Sequence, residues 1–356
     1  MATVGARYQS SCGGASAGGI LLQWHVTQRC NLRCAHCYQE DYSGDELAFP
    51  GLLDVVEQFK ALLETRGHAR GHVTVTGGEP FVRPDFLDLL EVLARNRERF
   101  SFAILTNGSF VDRTMARRLR ELGPAFVQVS IEGAAATHDR IRGRGDFDRV
   151  VAALKNLVRE RIRTLISFTA HKGNVADFPA VARLGRRLGV ARVWADRLIP
   201  FGAGERLAHH LMTSDETRAF FEVMLRERAR AERSWFGRTE IAMHRALQFL
   251  VGGGAPYECT AGDRLLTVMP NGDLYPCRRM PIRVGNLRES PLADLYEQSG
   301  LLASLRKPSR VSEGCDECAW AGVCRGGLRC LSYALTGDPF QADPGCWKAD
   351  RPAERQ

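Results

Sequence analysis

The chain contains few lysines and lacks any long hydrophobic run. Its 356 residues are 44% hydrophobic and 25% charged, but no apolar stretch reaches the roughly 20 residues that a membrane-spanning helix needs. The first residues, MATVGARYQSSCGGASAGG, are small and polar and lack the apolar core of a signal peptide. Because no segment of the sequence resembles an export signal, we expect a cytoplasmic protein without a membrane partner.

Only five of the 49 lysines and arginines are lysine, and the formal net charge is +8. The arginines are dispersed and alternate with glutamates in segments such as 159–163 (RERIR) and 226–233 (RERARAER), a pattern typical of solvated helix faces. Codon bias explains this arginine preference better than phosphate binding does. Neither an RNA-binding motif nor a concentrated basic stripe is present, so we expect no nucleic-acid partner.

Low-complexity segments and solenoid repeats are also absent, and short apolar runs instead alternate with amphipathic stretches from about residue 20 to residue 205. Six such β–α units predict a parallel sheet, because parallel strands require helical crossovers. The predicted strands span residues 21–26, 72–75, 101–105, 126–130, 164–169 and 191–194. The predicted helices span residues 52–63, 84–95, 113–122, 148–159 and 178–188. The predicted fold class is α/β, a partial (β/α)6 TIM-like barrel with catalytic groups at the carboxyl ends of its strands.

The composition changes after these repeats. Residues 206–253 have a helical pattern, in which Thr213 and Glu216 form a capping box, and the glycines at 252–254 end it. The following hundred residues are rich in turns and hold seven of the eleven cysteines. The predicted segments are an N-terminal extension (1–19), the partial barrel (20–205), a helical bridge (206–254), a small iron–sulfur domain (255–350) and a tail (351–356).

Three cysteines directly after the first predicted strand form the most specific motif, CNLRCAHCY. The spacing Cys-x3-Cys-x2-Cys can direct Cys30, Cys34 and Cys37 at three corners of one iron–sulfur cubane, which leaves the fourth iron open for a reacting molecule. A zinc site needs four ligands and is the minor alternative, because His36 sits awkwardly between two of the cysteines. Disulfides are disfavoured, since disulfide frameworks are a trait of short secreted chains.

A second motif, TGGEP, ends the second predicted strand and contains Gly77, Gly78, Glu79 and Pro80. Alone it would be an ordinary turn, although paired glycines let a backbone approach a ligand closely. Together with CNLRCAHCY, it resembles the radical S-adenosylmethionine (SAM) superfamily over residues 20–205. The resemblance implies that SAM chelates the open iron and that an electron cleaves it to methionine and a 5′-deoxyadenosyl radical, which abstracts hydrogen from the substrate.

The resemblance also implies where SAM is held. The turn at Gly77, Gly78, Glu79 and Pro80 would bind the methionyl amine, and Tyr38 would lie near the adenine. No catalytic side chain is assigned, because the radical forms at the cluster and the cofactor carries the difficult chemistry.

Three further residues follow strand ends and are implied SAM contacts: Asn107, Ser130 and Arg197. Their alternatives are a plain turn at Asn107, a strand-end hydroxyl at Ser130 and a surface salt bridge for Arg197. The segment HDRIRG at 138–143 looks like a signature of the same superfamily, and we expect it to organise the next helix.

The C-terminal cysteines resemble a SPASM domain, an appendage of many peptide-modifying radical SAM enzymes that holds two auxiliary iron–sulfur clusters. Cys259, Gly272 and Cys277 match the pattern Cys-x9-15-Gly-x4-Cys. The implied ligands of one [4Fe–4S] cluster are Cys315, Cys318, Cys324 and Cys346, and those of the other, also expected to be [4Fe–4S], are Cys259, Cys277 and Cys330. Two zinc sites are the minor alternative.

Departures from the family pattern narrow these expectations. Leu328 stands where the family has a cysteine, here shifted to Cys330, and no extra cysteine precedes Cys259. The second of these clusters therefore either has an open iron or is completed by a distal residue. Arg278 stands where sulfatase-maturing members have an aspartate base, which disfavours formylglycine formation. Cys12 is unassigned: a plain cysteine, a missing ligand or a hydrogen-atom donor.

The motifs imply a radical SAM enzyme that oxidatively modifies a ribosomally made precursor peptide, for example by cross-linking it. Because only about twenty residues precede the predicted barrel, we expect no winged peptide-recognition domain, so the peptide would need a separate recognition protein or bind the barrel mouth directly. A flavodoxin or ferredoxin would supply the electron. One alternative is an oxidoreductase acting on a small molecule, an aminoglycoside or a tetrapyrrole. The other is a noncatalytic iron–sulfur electron carrier.

Overall fold

The computed structural model of the chain describes residues 19–233, 239–307 and 310–349. Cys12, most of the predicted N-terminal extension and the whole predicted tail lie outside the described residues. No helix in the described part is long and apolar enough to cross a membrane.

Ten strands form a single mixed sheet within the described residues. The strands are β1 (Leu21–His25), β2 (Gly71–Thr76), β3 (Phe100–Thr106), β4 (Val127–Ser130), β5 (Thr164–Ala170), β6 (Arg192–Arg197), β7 (Glu240–Ala242), β8 (Leu265–Val268), β9 (Asp273–Tyr275) and β10 (Gly285–Asn286). Their order is β10-β9-β8-β1-β2-β3-β4-β5-β6-β7. The pairs from β8 through β1 to β7 are parallel, and β9 and β10 add antiparallel pairs. The six predicted strands are all present, which confirms the α/β prediction.

Helices cover the outside of this sheet. They are α1 (Phe49–Thr65), α2 (Phe86–Arg95), α3 (Arg113–Leu122), α4 (Ala135–Arg142), α5 (Asp146–Arg159), α6 (Phe178–Leu188), α7 (Ser214–Glu232), α8 (Phe249–Gly252), α9 (Leu292–Gln298), α10 (Gly300–Arg306), α11 (Ala321–Cys324) and α12 (Arg329–Thr336). Short 3-10 segments span Pro80–Val82, Val175–Asp177 and Gly202–His210. Phe59, Phe86 and Phe178 bury their rings completely against the sheet. These apolar helix faces are what the 3.6-residue periodicity predicts.

The helical bridge is only partly as predicted. Thr213 and Glu216 form the capping box at the start of α7, which is confirmed. The prediction that 206–253 is helical is wrong at β7, which pairs with β6 through Val193 and Ile241. A strand of three residues is too short to show a period of its own, so only its neighbour in the sheet identifies it.

The C-terminal region joins the sheet at its other edge. β8 runs parallel to β1, with Leu21 opposite Leu265 and Trp24 opposite Val268. The strand that leads into the cysteine motif is therefore flanked by β2 on one side and by a C-terminal strand on the other. One continuous sheet therefore crosses the boundary predicted at residue 255.

Candidate active site

A cavity of about 290 Å³ lies inside the barrel and reaches the carboxyl ends of its strands. Its wall contains the three cysteines of CNLRCAHCY. It also contains Thr76, Thr106, Ser130, Thr169 and Arg197, each at or next to the end of one of the strands β2 to β6. The strand-end prediction therefore places the candidate residues around one space.

The cysteine loop is tied to its surroundings by Glu46. The Glu46 carboxylate accepts hydrogen bonds from Thr27 Oγ1 (2.6 Å) and from the backbone N–H of Gln28 (2.9 Å). Burial raises the pKa of the Cys34 thiol to about 11, and the neighbouring Cys37 and Cys30 add to the increase. In this partly buried loop, each thiolate disfavours ionisation of the other two cysteines. A bound iron would compensate the thiolate charges, so the three cysteines are a suitable donor set.

The paired glycines of TGGEP are required by the chain itself. A Cβ atom on Gly77 would lie 2.6 Å from the Thr27 carbonyl oxygen, and one on Gly78 would lie 2.6 Å from that of Gln28. The backbone N–H of Gly78 donates to the Thr27 carbonyl (2.8 Å) and that of Glu79 donates to the Arg29 carbonyl (2.9 Å). The glycines therefore allow the TGGEP turn to pack closely against the backbone just before the cysteine motif. Both glycines also line the cavity.

Glu79 is buried behind the cavity wall, and so is Pro80. The Glu79 carboxylate accepts hydrogen bonds from Thr106 Oγ1 (2.8 Å) and from the backbone N–H of Asn107 (2.7 Å). It therefore joins the ends of β2 and β3. The Asn107 side chain lines the cavity and donates to Asn31 Oδ1 (2.8 Å) inside the cysteine motif. The roles of Glu79 and Asn107 in binding SAM stay predictions.

Glu132 is the centre of a charged network beside the cysteines. Its carboxylate accepts hydrogen bonds from Arg142 Nη2 (2.6 Å) and lies 3.3 Å from His36 Nε2. Burial opposes ionisation of Glu132, but Arg142 and His36 outweigh it and hold the pKa of the carboxyl well below its usual range. Arg142 Nη1 lies 3.9 Å from Cys34 Sγ. Glu132 thereby holds the guanidinium of Arg142 beside Cys34.

Arg142 belongs to the HDRIRG segment, whose predicted task was to organise the next helix. That task is confirmed for Asp139, whose carboxylate accepts hydrogen bonds from the backbone N–H groups of Gly145 (2.6 Å) and Phe147 (2.9 Å) at the start of α5. The placement of Arg142 against Cys34 was not predicted. The signal was available in the arginine of the segment, but only the fold shows which cysteine it approaches.

Three other predicted SAM contacts line the cavity, each with partners of its own. Ser130 Oγ lies 3.1 Å from Ser167 Oγ. The Tyr38 carbonyl accepts a hydrogen bond from Arg278 Nη2 (2.9 Å). Arg197 is buried and donates both terminal nitrogens to Asp343, at 2.7 Å for Nη1. The salt-bridge alternative for Arg197 is therefore realised, but in the interior and not at the surface.

The C-terminal cysteines lie in two groups. Burial raises the pKa of Cys330, and the nearby Cys277 and Cys259 add to this effect. Burial likewise raises the pKa of Cys324 to about 12, with contributions from Asp343, Cys346 and Cys315. Cys315, Cys318, Cys324 and Cys346 line one small apolar cavity. The assignment of these cysteines as ligands of two clusters stays a prediction.

Within the described part of the chain, no three His, Cys, Asp or Glu side chains converge on one point as the ligands of a single metal ion do. This arrangement is compatible with an iron–sulfur cluster, because each cysteine ligand of a cluster binds a different iron.

The profile of the Radical SAM superfamily matches residues 24–184, and that of the SPASM iron–sulfur cluster-binding domain matches residues 259–319. The mycofactocin maturase MftC of Mycobacterium tuberculosis is 30% identical over 342 residues, which cover 92% of this chain and 82% of that protein. The chain belongs to the radical SAM superfamily. It is a radical SAM enzyme with a C-terminal SPASM domain.

Two further similarities bear on fold and substrate. Fe-coproporphyrin III synthase of Methanosarcina barkeri is 28% identical over 355 residues, which cover 92% of this chain and 87% of that protein. The solved structure of anSMEcpe with bound AdoMet and Cp18Cys peptide has a TM-score of 0.72 and 18% identity, and covers 92% of this chain and 93% of that one. The predicted fold, a partial barrel with a SPASM region, is confirmed. The cofactors of this radical SAM enzyme are SAM, a radical SAM [4Fe–4S] cluster and SPASM auxiliary iron–sulfur clusters.

Proposed function

We propose that this radical SAM enzyme oxidatively modifies a ribosomally synthesised peptide, for example by forming a cross-link. The observation that carries the proposal is the small size of the cavity. Its volume of about 290 Å³ is at the lower end of the range for small-ligand sites, and it has to serve the cluster, SAM and the reacting carbon together. A peptide can insert one side chain and leave the rest of its chain outside. A tetrapyrrole has to bring in the edge of a rigid macrocycle.

The residues of this chain would bind and orient the reacting partners. Cys30, Cys34 and Cys37 are the proposed ligands of the cluster, and Arg142 offsets part of the thiolate charge at Cys34. When bound, SAM and this cluster supply a 5′-deoxyadenosyl radical. The barrel interior, with Phe168 and other apolar side chains in the wall, would keep water away from the reacting carbon.

The proposed SAM contacts follow the cavity wall. The Gly77 and Gly78 backbone and the side chains of Asn107, Ser130 and Tyr38 line it. Three other predicted residues have a supporting place in this proposal: Glu79, Pro80 and Arg197. Glu79 fixes the strand end that carries Asn107, and Arg197 is engaged by Asp343.

Two auxiliary [4Fe–4S] clusters are the proposed redox partners of the reaction. One would be held by Cys315, Cys318, Cys324 and Cys346, and the other by Cys259, Cys277 and Cys330. The second set has three thiols, so an open iron there could bind substrate. We also propose a flavodoxin or ferredoxin as electron donor and a separate protein that presents the peptide. Residues 20–205, 206–254 and 255–350 stay our proposed barrel, bridge and iron–sulfur segments, joined by one sheet.

A tetrapyrrole is the second candidate substrate. It is favoured by the similarity to Fe-coproporphyrin III synthase and by Arg278 in the cavity wall, which suits a carboxylate side chain.

Mass spectrometry distinguishes the two candidates. The enzyme is co-expressed with each short reading frame beside its gene, and the reconstituted enzyme is separately incubated with SAM, reductant and Fe-coproporphyrin III. We expect one peptide to lose two hydrogens, and Cys30→Ala to abolish the change. Conversion of the porphyrin with every peptide unchanged would overturn the peptide proposal. Arg283→Gln, at an exposed position of the C-terminal region outside the cavity, is the control variant and should behave as wild type.

A further inference from the structure

Four arginines line the cavity, and three of them form ion pairs with carboxylates of the protein. Each of the three donates to a carboxylate of the chain. The pairs are Arg142 with Glu132, Arg197 with Asp343, and Arg279 with Asp196. The fold therefore supplies a counter-charge to nearly every cation that it places in this space.

Arg278 is the exception. Its hydrogen bond within the described part of the chain is the one from Nη2 to the Tyr38 carbonyl (2.9 Å), and no carboxylate there forms an ion pair with it. A guanidinium has five N–H donors, so most of its donors remain available. Burial lowers the pKa of Arg278, and Cys37 opposes this most among the groups beside it, so the proposed cluster thiolates supply part of its counter-charge. The donors without a protein partner belong to a side chain that lines the cavity, where a ligand can accept their hydrogen bonds.

A second polar group that lines the same space has one ring nitrogen without a hydrogen-bond partner in the described residues. β1 alternates, and Leu21, Gln23 and His25 of this strand all line the cavity. His25 is 7% exposed, and its Nε2 has no hydrogen-bond partner in the described residues. Burial, followed by the charge of Arg278, lowers the pKa of His25, and a hydrogen bond with the Gly77 backbone opposes this. Burial therefore favours the neutral ring, in which the buried Nε2 can accept a hydrogen bond from a ligand in the cavity.

We propose that Arg278 binds a carboxylate of the substrate while His25 accepts an N–H or O–H of the same molecule. This rests on the proposed function, in that a substrate enters this cavity, and it narrows the substrate to one with a carboxylate close to the reacting carbon. Arg278 directly follows Cys277 and touches the residue after Cys37. It therefore holds the anion between the cysteine loop of the barrel and the nearer group of C-terminal cysteines.

The carboxylate can come from a peptide C-terminus, from an acidic side chain or from a propionate, and the probes separate these sources. A mixed-sequence pool of ten-residue peptides is made as C-terminal acids and as C-terminal amides, each with and without Asp and Glu. Coproporphyrin III is the propionate probe. Retention of each probe on the anaerobically reconstituted, SAM-loaded enzyme is measured by mass spectrometry. The variants are Arg278→Gln, Arg278→Lys and, as an exposed matched control, Arg283→Gln.

We expect wild type and Arg283→Gln to favour one carboxylate probe over its neutral counterpart by about tenfold, which corresponds to about 1.4 kcal/mol. Arg278→Gln should lose this preference, and Arg278→Lys should keep part of it, since a lysine retains the charge but not the bidentate geometry. Iron content and SAM affinity should stay as in wild type. A preference that survives Arg278→Gln, the absence of any preference in wild type, or a loss of SAM binding in Arg278→Gln would each overturn the proposal, the last by assigning Arg278 to SAM.

The same data separate this inference from the proposed function. If coproporphyrin III alone binds, and does so through Arg278, the peptide function fails and the carboxylate site stands. If peptides bind equally as acids and amides, the peptide function stands and the carboxylate site fails.

Discussion

Removal of the Asp343 carboxylate should destabilise the enzyme strongly, because it breaks the buried ion pair between β6 and the C-terminal region. Asp343 is 2% exposed and Arg197 is 4% exposed. The carboxylate accepts both guanidinium nitrogens of Arg197 and the backbone N–H groups of Leu328 (2.8 Å) and Gly345 (2.9 Å). Asp343→Ala leaves a buried cation and two N–H groups without an acceptor. Loss of one partner of a buried pair costs about 3–5 kcal/mol.

Anaerobic urea unfolding of the reconstituted enzyme, followed by tryptophan fluorescence, measures this loss. The matched control is Asp45→Ala, which removes a pair with Arg288 that also joins the two regions but is exposed on both sides. An exposed pair is worth less than about 1 kcal/mol, so this control should unfold nearly as wild type. Iron content, measured in parallel, detects any loss of a cluster. If Asp343→Ala lowers the free energy of unfolding no more than Asp45→Ala does, the reasoning about the buried pair is refuted.

Three further predictions concern the cavity wall. Gly78→Ala should reduce iron binding at the first cysteine motif, because the added Cβ would clash with the backbone just before that motif. Gly300→Ala, whose Cβ would have no atom within 4 Å, should bind iron as wild type does. Equal iron contents in the two variants would contradict this. Burial raises the pKa of Glu79 to about 7 from an ordinary 4.5, so its contribution to stability is complete below 4.5 and is lost as the pH rises through 7. The unfolding free energy of Glu79→Gln should then fall less steeply than that of wild type between pH 5.5 and 7.5, and parallel curves would count against it. Arg142→Gln should make the cluster harder to reduce in an EPR-monitored redox titration, because it removes a cation beside Cys34. Arg140→Gln, on the exposed face of α4, should leave the reduction potential unchanged. An unchanged reduction potential in Arg142→Gln would exclude this role.

Local patterns made most of the barrel predictable. Each of the six predicted strands and the start of α7 is defined by residues that are close in sequence, and Thr213 needs only Glu216 to cap its helix. The cysteine spacing works in the same way, since the tight loop brings Cys30, Cys34 and Cys37 together without help from the rest of the chain.

Contacts between distant segments were not predictable. The sequence does not show that Arg197 pairs with Asp343, which is 146 residues away. Nor does it show that the Glu79 carboxylate accepts hydrogen bonds from the end of the neighbouring strand. The contacts of both residues with SAM stay predictions. That no carboxylate of the described residues pairs with Arg278 also follows only from the fold, because sequence alone does not reveal which arginines have a carboxylate nearby.

During synthesis on the ribosome, β8, the second strand that pairs with β1, is made long after β1 itself. Gln23 and Thr267 meet across the β1–β8 pair although 244 residues separate them. At 5–20 residues per second, that interval lasts roughly 12–50 s. Throughout it, one side of β1 is an open strand edge, which is prone to pair with other chains. Any iron delivered to the first cysteine motif in that time would reach an unfinished barrel, and a chain truncated before β8 would keep the exposed edge permanently.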